Sequence, residues 1–190
     1  MMKIWTIIMA MIFVSTVINA QSTSIRGNRK NSLTLEGGWN SLAGTGVNYM
    51  YSFNSNFALD FGAGIGLQGV KGGIRAQYYF LKKDFSPYMG LGYIINPLTI
   101  PDLDLIDEMS QTIQRINILP THFTQIVLGL EYRSKGGFVI GSNLGYARLL
   151  KNNIEPSDPR DELIENPTLQ AIKILYGSGL AVSFNIGYAF

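Results

Sequence analysis

The sequence predicts an all-β fold, an eight-stranded antiparallel up-and-down β-barrel with short helices in its long loops. Three observations support this prediction. Apolar residues alternate with small or polar residues in eight segments, most clearly over residues 179–190, which read GLAVSFNIGYAF. Several segments are joined by turns as short as β-hairpin connections. Beyond the first twenty residues, no apolar run approaches the length of a membrane-spanning helix.

Residues 1–20 are predicted to be a signal peptide that precedes the barrel. Lys3 supplies a positive start, an apolar stretch follows, and Ala20 ends a short sequence that suits a signal peptidase. We expect residues 21–31 to form a periplasmic segment and residues 32–190 to form the barrel domain. Loss of Lys3 with the signal peptide would lower the formal net charge from +2 to +1. A near-neutral chain without a basic cluster offers no electrostatic surface to nucleic acid.

The eight predicted strands follow from a side-chain period of two, in which one parity is apolar and the other is small or polar. In the last segment, for example, Phe184 belongs to the apolar parity, whereas Ser183 and Asn185 belong to the other. The absence of cysteine means that no disulfide joins these strands. The predicted strands are residues 32–40, 46–53, 57–68, 72–81, 85–95, 122–133, 137–149 and 179–190.

The connections between the predicted strands differ strongly in length. Tight turns lie at 54–56, 82–84 and 134–136, whereas the linkers 96–121 and 151–170 are far longer than a hairpin requires. An exported N-terminus starts in the periplasm, so eight antiparallel strands would place all three tight turns on the periplasmic side. Aromatic residues flank these turns, as in an interfacial girdle: Phe53, Phe57, Phe80, Phe85, Tyr132 and Phe138, with Phe190 at the same level.

Two kinds of eight-stranded barrel would place these parities on opposite faces. A soluble barrel of lipocalin type buries its apolar parity and exposes its polar parity to water, whereas a transmembrane barrel does the reverse. The polar parity here consists largely of Gly, Ala, Ser and Asn, and only 15% of the residues are charged. A soluble surface would be richer in charge. The pattern therefore favours a transmembrane barrel, with the soluble barrel as the alternative.

Each long linker carries a pattern that predicts a short helix. Asp104 would cap the first helix, which has Arg115 near its end and stops before Pro120. Asp158 and Pro159 would begin a second helix that runs to residues 166–167. The apolar residues at helical spacing in the first helix are Leu105, Ile106, Met109, Ile113 and Ile116.

Gly64, Gly66 and Gly69 match the dinucleotide-binding fingerprint by letter. That motif requires a strand, a tight turn and then a helix. Here two of the glycines share the inward parity of a predicted strand, and no helix is predicted to follow. We therefore interpret these glycines as structural.

A group of acidic residues in the first long linker could suggest a calcium site. The spacing and the glycine of an EF-hand are absent, however. We interpret the acids as favourable charges at the start of the predicted helix, and no metal site is predicted. The residues are Asp102, Asp104, Asp107 and Glu108.

His122 is the only histidine, and it begins the sixth predicted strand. The lipid A deacylases, an eight-stranded outer-membrane family, pair a His-x-Ser with a Glu on the barrel wall, and His122-x-Thr124 is similar, with Thr in place of Ser. Glu131 lies nine residues further on, or about 30 Å along a strand at roughly 3.3 Å per residue. Triad chemistry requires contact between its members. We therefore expect a histidine at the loop edge and no enzymatic activity.

Five charged residues share the inward parity of the predicted barrel: Glu36, Asp60, Arg75, Glu131 and Arg133. Charges inside a narrow barrel normally pair, because an unpaired buried charge is costly. We expect a salt-bridge network in the lumen, with Asp60 and Arg75 on adjacent strands but at different heights. The alternative is a path or binding site for a small molecule, since the many inward glycines leave additional room.

The last strand, with Phe190, resembles the closing strand of bacterial outer-membrane β-barrels, whose terminal Phe is part of the signal read by the assembly machinery. The segments GGIRAQYYF and SPYMGLGY similarly resemble paired strands of porin-like members. The mature chain as a whole is similar to the small eight-stranded outer-membrane β-barrel superfamily, of the OmpA-like and OmpX-like type. The resemblance implies the outer membrane of a Gram-negative-type bacterium as the location, and outer-membrane lipids and the assembly machinery as partners. It implies an assembly signal formed by Phe184, Ile186, Tyr188 and Phe190.

This resemblance predicts the architecture but says little about the activity, because proteins with this fold include adhesins, structural anchors, small pores and lipid enzymes. We expect a non-enzymatic integral outer-membrane protein that displays the linkers 96–121 and 151–170 at the cell surface. The alternatives are passage or binding of a small molecule, including an apolar one, and modification of lipid A. No cofactor is predicted, and the sequence identifies neither a ligand nor a surface partner.

Overall fold

The computed structural model describes residues 25–106, 113–158, 163 and 167–190. These residues form eleven strands and two short helices, α1 (Ile25–Asn28) and α2 (Pro167–Tyr176). The predicted signal peptide lies outside the described residues. The strands are β1 (Asn31–Trp39), β2 (Thr45–Ser52), β3 (Phe57–Gly66), β4 (Gly69–Tyr79), β5 (Phe85–Asn96), β6 (Ile100–Ile106), β7 (Ile113–Ile118), β8 (Thr121–Arg133), β9 (Phe138–Leu149), β10 (Ile154–Pro156) and β11 (Gly179–Ala189).

Eight of these strands close into an antiparallel barrel. The order around the barrel is β1-β2-β3-β4-β5-β8-β9-β11, and β11 pairs with β1 to complete the circle. Neighbours in the barrel follow one another along the chain, apart from the small strands inserted in the long loops, so the topology is up-and-down. All eight predicted strands are confirmed, with ends that differ by a few residues.

The two parities of each barrel strand face in opposite directions. The apolar parity points outward, as illustrated by Leu35 and Phe184, which are 62% and 69% exposed. The small and polar parity points inward, and Ser183 and Arg75 are fully buried. A barrel of lipocalin type would have the opposite arrangement, with the apolar parity filling the interior.

One end of the barrel, called here the turn end, carries the three tight turns, the start of β1 and Phe190. Backbone hydrogen bonds join Asn31 and Phe190 in both directions, at 2.8 and 3.2 Å between nitrogen and oxygen, and extend the β1–β11 seam to the last residue. The aromatic residues predicted beside the turns are exposed on the outer face at this end: Phe53, Phe57, Phe80, Phe85, Tyr132, Phe138 and Phe190.

The opposite end, called the loop end, carries a second, three-stranded sheet in the order β10-β7-β6. The helix predicted to start at Asp104 is wrong, because residues 104–106 and 113–116 are strand residues paired antiparallel to each other. Ile116 and Ile118 alternate at a period of two and are both fully buried, so pairing with β6 overrides the helical spacing. Asp107, Glu108 and Met109, which also entered these predictions, lie outside the described residues.

Helix α2 begins at Pro167, near the residue where the second predicted helix was expected to end. Most of the predicted span after Asp158 lies outside the described residues. Proline suits the first turn of a helix, because its missing N–H would have no partner there. Leu169 of α2 packs on Leu105, Ile116 and other apolar residues of the small sheet. In the described part of the chain, no helix has the length and apolar character needed to cross a membrane.

Candidate functional site

The middle of the barrel lumen holds a charged cluster drawn from three strands. Asp60 of β3 lies directly opposite Arg75 of β4 in the strand register, and Arg75 Nη2 donates to Asp60 Oδ2 at 2.6 Å. Glu36 Oε2 of β1 lies 3.9 Å from the same nitrogen. The expectation that Asp60 and Arg75 lie at different heights is wrong, because the short connection between Gly66 and Gly69 sets a β3–β4 register that aligns them.

The two carboxylates of this middle cluster also accept hydrogen bonds from uncharged groups. Glu36 accepts from the Leu42 backbone amide at 3.0 Å and from the side-chain amide of Asn48. Asp60 accepts from Gln77 Nε2 at 3.4 Å. Neutral donors of this kind share the stabilisation of buried negative charge with the single guanidinium.

A second charged cluster fills the turn end of the lumen. Glu131 Oε1 accepts from Arg133 Nε at 2.6 Å and from Arg26 Nη2 at 3.1 Å, and Glu131 Oε2 accepts from the Tyr79 hydroxyl at 2.8 Å. The Arg26 guanidinium lies 3.6 Å from the centroid of the Tyr79 ring, a cation–π contact. The five charged residues predicted to face the lumen therefore divide into two clusters.

Arg26 was not identified from the sequence. It belongs to α1, in the segment expected to be a periplasmic extension, yet its side chain is almost fully buried in the turn end of the barrel. No alternating pattern precedes Asn31, so no local signal assigns Arg26 to the lumen. The only available hint was an imbalance of charge, since the five predicted lumen residues comprise three acids and two arginines.

The inward glycines do not widen the lumen, because large side chains occupy the space beside them. A Cβ atom at Gly129 would lie 2.3 Å from Cζ of Tyr88, and one at Gly90 would lie 3.1 Å from Cδ of Arg75. A Cβ at Gly73 would lie 2.7 Å from Cδ1 of Leu42. The expectation of additional open room is therefore not met at these positions.

Leu42 closes the lumen near the loop end. It lies in the β1–β2 connection, which folds inward, and packs against Ile94, Phe123, Ala147 and Ala181. Side chains thus fill the lumen at three levels: the Leu42 group, the Glu36–Asp60–Arg75 cluster and the Arg26–Glu131–Arg133 cluster.

His122 and Glu131, the two residues compared with a catalytic pair in the sequence, lie on opposite faces of β8. The Nδ1 of His122 lies 2.6 Å from the Tyr93 hydroxyl. His122 and Thr124 belong to the outward parity of β8, whereas Glu131 points into the lumen. The two faces of one strand separate the imidazole from the carboxylate, so these groups cannot meet on one substrate.

The other two sequence motifs have structural roles. Gly66 and Gly69 close the short β3–β4 hairpin, and Gly69 adopts a φ of 92° that favours glycine. Asp104 pairs with Arg115 at 2.9 Å across β6 and β7. Within the described ranges, no group of three or more His, Asp or Glu side chains is placed to hold a metal ion.

The outward residues of β11 lie along the closing seam of the barrel. Phe184, Ile186 and Tyr188 stand opposite Gly37, Leu35 and Leu33 of β1, and together with Phe190 they present an apolar surface. Their role as an assembly signal stays a prediction.

No protein-family model matches this chain, and no curated protein matches it.

Proposed function

We propose that this protein is an integral outer-membrane β-barrel with a non-enzymatic, structural or surface-interaction role. The observation that carries the proposal is the apolar outer face of a closed barrel whose lumen is polar. Exposed apolar patches on soluble monomers rarely exceed a few hundred Å², whereas this face includes outward residues of all eight barrel strands. A closed barrel also satisfies every strand hydrogen bond internally, as a lipid environment requires.

The two ends of the barrel support an orientation. Outer-membrane barrels have short turns in the periplasm and longer loops outside. The turn end, with its exposed aromatic row, fits the periplasmic interface, and the loop end would then present the β6–β7–β10 sheet and α2 to the exterior. This small sheet has its own buried cluster, so it would offer a folded surface to a partner. Outer-membrane lipids and the assembly machinery are the partners that this role requires.

The filled lumen favours a structural role over a pore. A small molecule would have to displace Leu42, the Arg75 cluster and the Arg26 cluster to pass through the barrel. Passage of a solute is therefore the weaker candidate, and binding at one end of the lumen is compatible with the filled interior.

The proposal is tested by topology in intact cells. The full chain is expressed in a Gram-negative host with a protease recognition site inserted either between β6 and β7 or in the 134–136 turn. We expect both variants in the outer-membrane fraction, folded as judged by heat-dependent gel migration. Protease added to whole cells should cut the β6–β7 site and spare the turn site until the cells are lysed. Recovery in a soluble fraction, or the reverse cleavage pattern, would refute the proposal.

A further inference from the structure

A cavity of about 470 Å³ opens at the loop end of the barrel. It lies beside the short β1–β2 and β3–β4 connections, and the last residues of α2, Leu175 and Tyr176, line one side. Its volume falls within the roughly 300–1,000 Å³ typical of small-molecule sites. The charged clusters described above line neither this cavity nor its entrance, so the cavity is a separate feature of the molecule.

One wall of this cavity is polar and rigid. Gln68 Nε2 donates to the backbone oxygens of Leu98 and Leu119, both at 2.7 Å. Thr121 Oγ1 donates to Gln68 Oε1 at 2.9 Å and accepts from Asn96 Nδ2 at 2.5 Å. These bonds hold the wall in one arrangement and occupy most of its own donors and acceptors.

Lys71 contributes a cation to the same wall. Its side chain is only 7% exposed, and it forms no hydrogen bond or ion pair with any described residue. Glu36 influences Lys71 electrostatically, but that carboxylate is already bonded to Leu42 and Asn48. A lysine this deeply buried is ordinarily paired, so the Lys71 ammonium is available to an anion that enters the cavity.

The cavity also has apolar lining residues that belong to the outer face of the barrel. Trp39, Ile65 and Leu67 line it, and Ile65 and Leu67 are 66% and 57% exposed on the outward parity. The cavity thus lies between the largely buried Lys71 side chain and apolar residues of the outer face, at the barrel rim. A purely polar ligand would leave the apolar lining residues without an apolar contact, and a purely apolar ligand would leave the Lys71 cation unpaired.

We propose that this cavity binds a single-chain amphiphile with an anionic carboxylate head group. The carboxylate pairs with the Lys71 ammonium, and the alkyl chain lies along Trp39, Ile65 and Leu67 toward the outer face. Helix α2 covers the chain through Leu175. This site goes beyond the proposed structural role, and it does not depend on that role because binding is a property of the folded barrel in detergent as well as in a membrane.

The test uses a bromine atom as a fluorescence quencher at the end of the alkyl chain. The full chain carries Trp5→Phe, so that Trp39 is its only tryptophan. Folded protein in a neutral detergent is titrated with 11-bromoundecanoate and, in parallel, with the matched neutral probe 11-bromoundecanol. We expect saturable quenching of Trp39 by the carboxylate probe at lower concentrations than by the alcohol.

Variants separate the head group from the chain. Lys71→Met should weaken binding of the carboxylate probe by about tenfold or more, as expected for loss of a charge-assisted bond, and should leave the alcohol unaffected. Lys71→Arg should retain the preference for the carboxylate. Leu175→Gln, in a helix outside the barrel, should weaken both probes alike. Lys135→Met, in a tight turn at the far end, serves as the control.

The result that would overturn the inference is equal affinity for the two probes, or unchanged carboxylate binding in Lys71→Met. Heat-dependent gel migration establishes that each variant is folded before titration. If Lys71→Met fails to fold, the other measurements still test the inference. Absence of quenching in the parent protein, loss of the carboxylate preference in Lys71→Arg, or no effect of Leu175→Gln on either probe would each contradict it.

Discussion

Glycines and large side chains are matched across the barrel lumen. Tyr88 occupies the space beside Gly129, and Leu42 occupies the space beside Gly73. In each case the absence of a Cβ on one strand makes room for a ring or a branched side chain from elsewhere. The lumen is therefore close-packed through complementary sizes, as protein interiors generally are.

Gly129→Ala tests this complementarity. The added methyl group would lie 2.3 Å from the Tyr88 ring, so the ring must move within a filled lumen. We expect a loss of about 1–3 kcal/mol in the free energy of unfolding, the usual cost of overpacking. Denaturant titration in lipid vesicles provides the measurement. Gly37→Ala is the control, because nothing lies within 4 Å of its added Cβ, and equal losses in both variants would contradict the filled lumen.

Arg75→Met tests the middle charged cluster. The substitution leaves Glu36 and Asp60 buried without their shared cation, which should cost about 3–5 kcal/mol of folding free energy if this level is dry. Arg115→Met breaks a pair with Asp104 whose side chains are 65% and 51% exposed, and should cost about 0–1 kcal/mol. A negligible effect of Arg75→Met, together with new ion conductance, would instead indicate a hydrated path.

At the scale of secondary-structure elements, the outward face of each strand changes character along its length. Phe184 lies in the interior of β11, opposite Gly37 and Ser142 of its two neighbouring strands. Phe53 lies next to a tight turn, within the aromatic row at the turn end. If lipid surrounds the barrel, the first position lies near the bilayer midplane and the second near the interface.

Arginine substitutions distinguish lipid from water around these two positions. Phe184→Arg should cost about 2–4 kcal/mol of folding free energy in a bilayer, whereas Phe53→Arg should cost about 0–1 kcal/mol. Titration of both variants in vesicles measures this difference. Similar small effects at the two positions would mean that water, and not lipid, surrounds β11.

The β1–β11 seam closes the barrel, and Phe190 is its last bonded residue. Removal of Phe190 eliminates both backbone bonds to Asn31 and an exposed aromatic ring. We expect a lower yield of the folded protein in the outer membrane, because an unpaired edge is unfavourable in lipid. Phe190→Ala retains the backbone bonds and so separates the aromatic side chain from the pairing. Wild-type levels of both variants would show that Phe190 is dispensable for assembly.

At the scale of the whole molecule, side chains of the described residues occupy the lumen at three levels between the turn end and the cavity at the loop end. The Leu42 group, the Arg75 cluster and the Arg26 cluster each occupy a different level of the lumen. Segments outside the barrel strands supply two of these levels: the β1–β2 connection supplies Leu42, and α1 supplies Arg26. In the described residues, side chains therefore close the lumen at three levels.

Measurements in planar bilayers test this closed state. The wild-type protein should show no steady ion conductance at moderate voltage. Leu42→Gly should also stay closed, because two further levels still fill the lumen. A known porin inserted in the same bilayer verifies that channels can be detected. Regular conductance steps from the wild-type protein would favour passage of solutes over the structural role.

The barrel could be predicted from the sequence because its determinants are local. Alternation with a period of two predicts both that a segment is a strand and which of its residues share a face. A three-residue turn predicts that the strands on either side of it pair with each other. The inward charges Glu36, Asp60, Arg75, Glu131 and Arg133 were found in this way, since each lies within an alternating segment. Lys71 shares that inward parity with Arg75, and extending the fourth predicted strand by one residue would have found it.

The features that escaped prediction depend on contacts between distant parts of the chain. The residues around Leu105 and Ile116 have a helical spacing, yet they form strands because β6, β7 and β10 bury their apolar side chains against one another and α2. Arg26 enters the lumen because Glu131, more than a hundred residues away, accepts its hydrogen bonds. The sequence by itself determined the strands, their faces and the short turns, since period and spacing are local properties. Only the tertiary structure decided what fills the lumen and where the cavity with Lys71 lies, because those depend on which distant side chains share one enclosed volume.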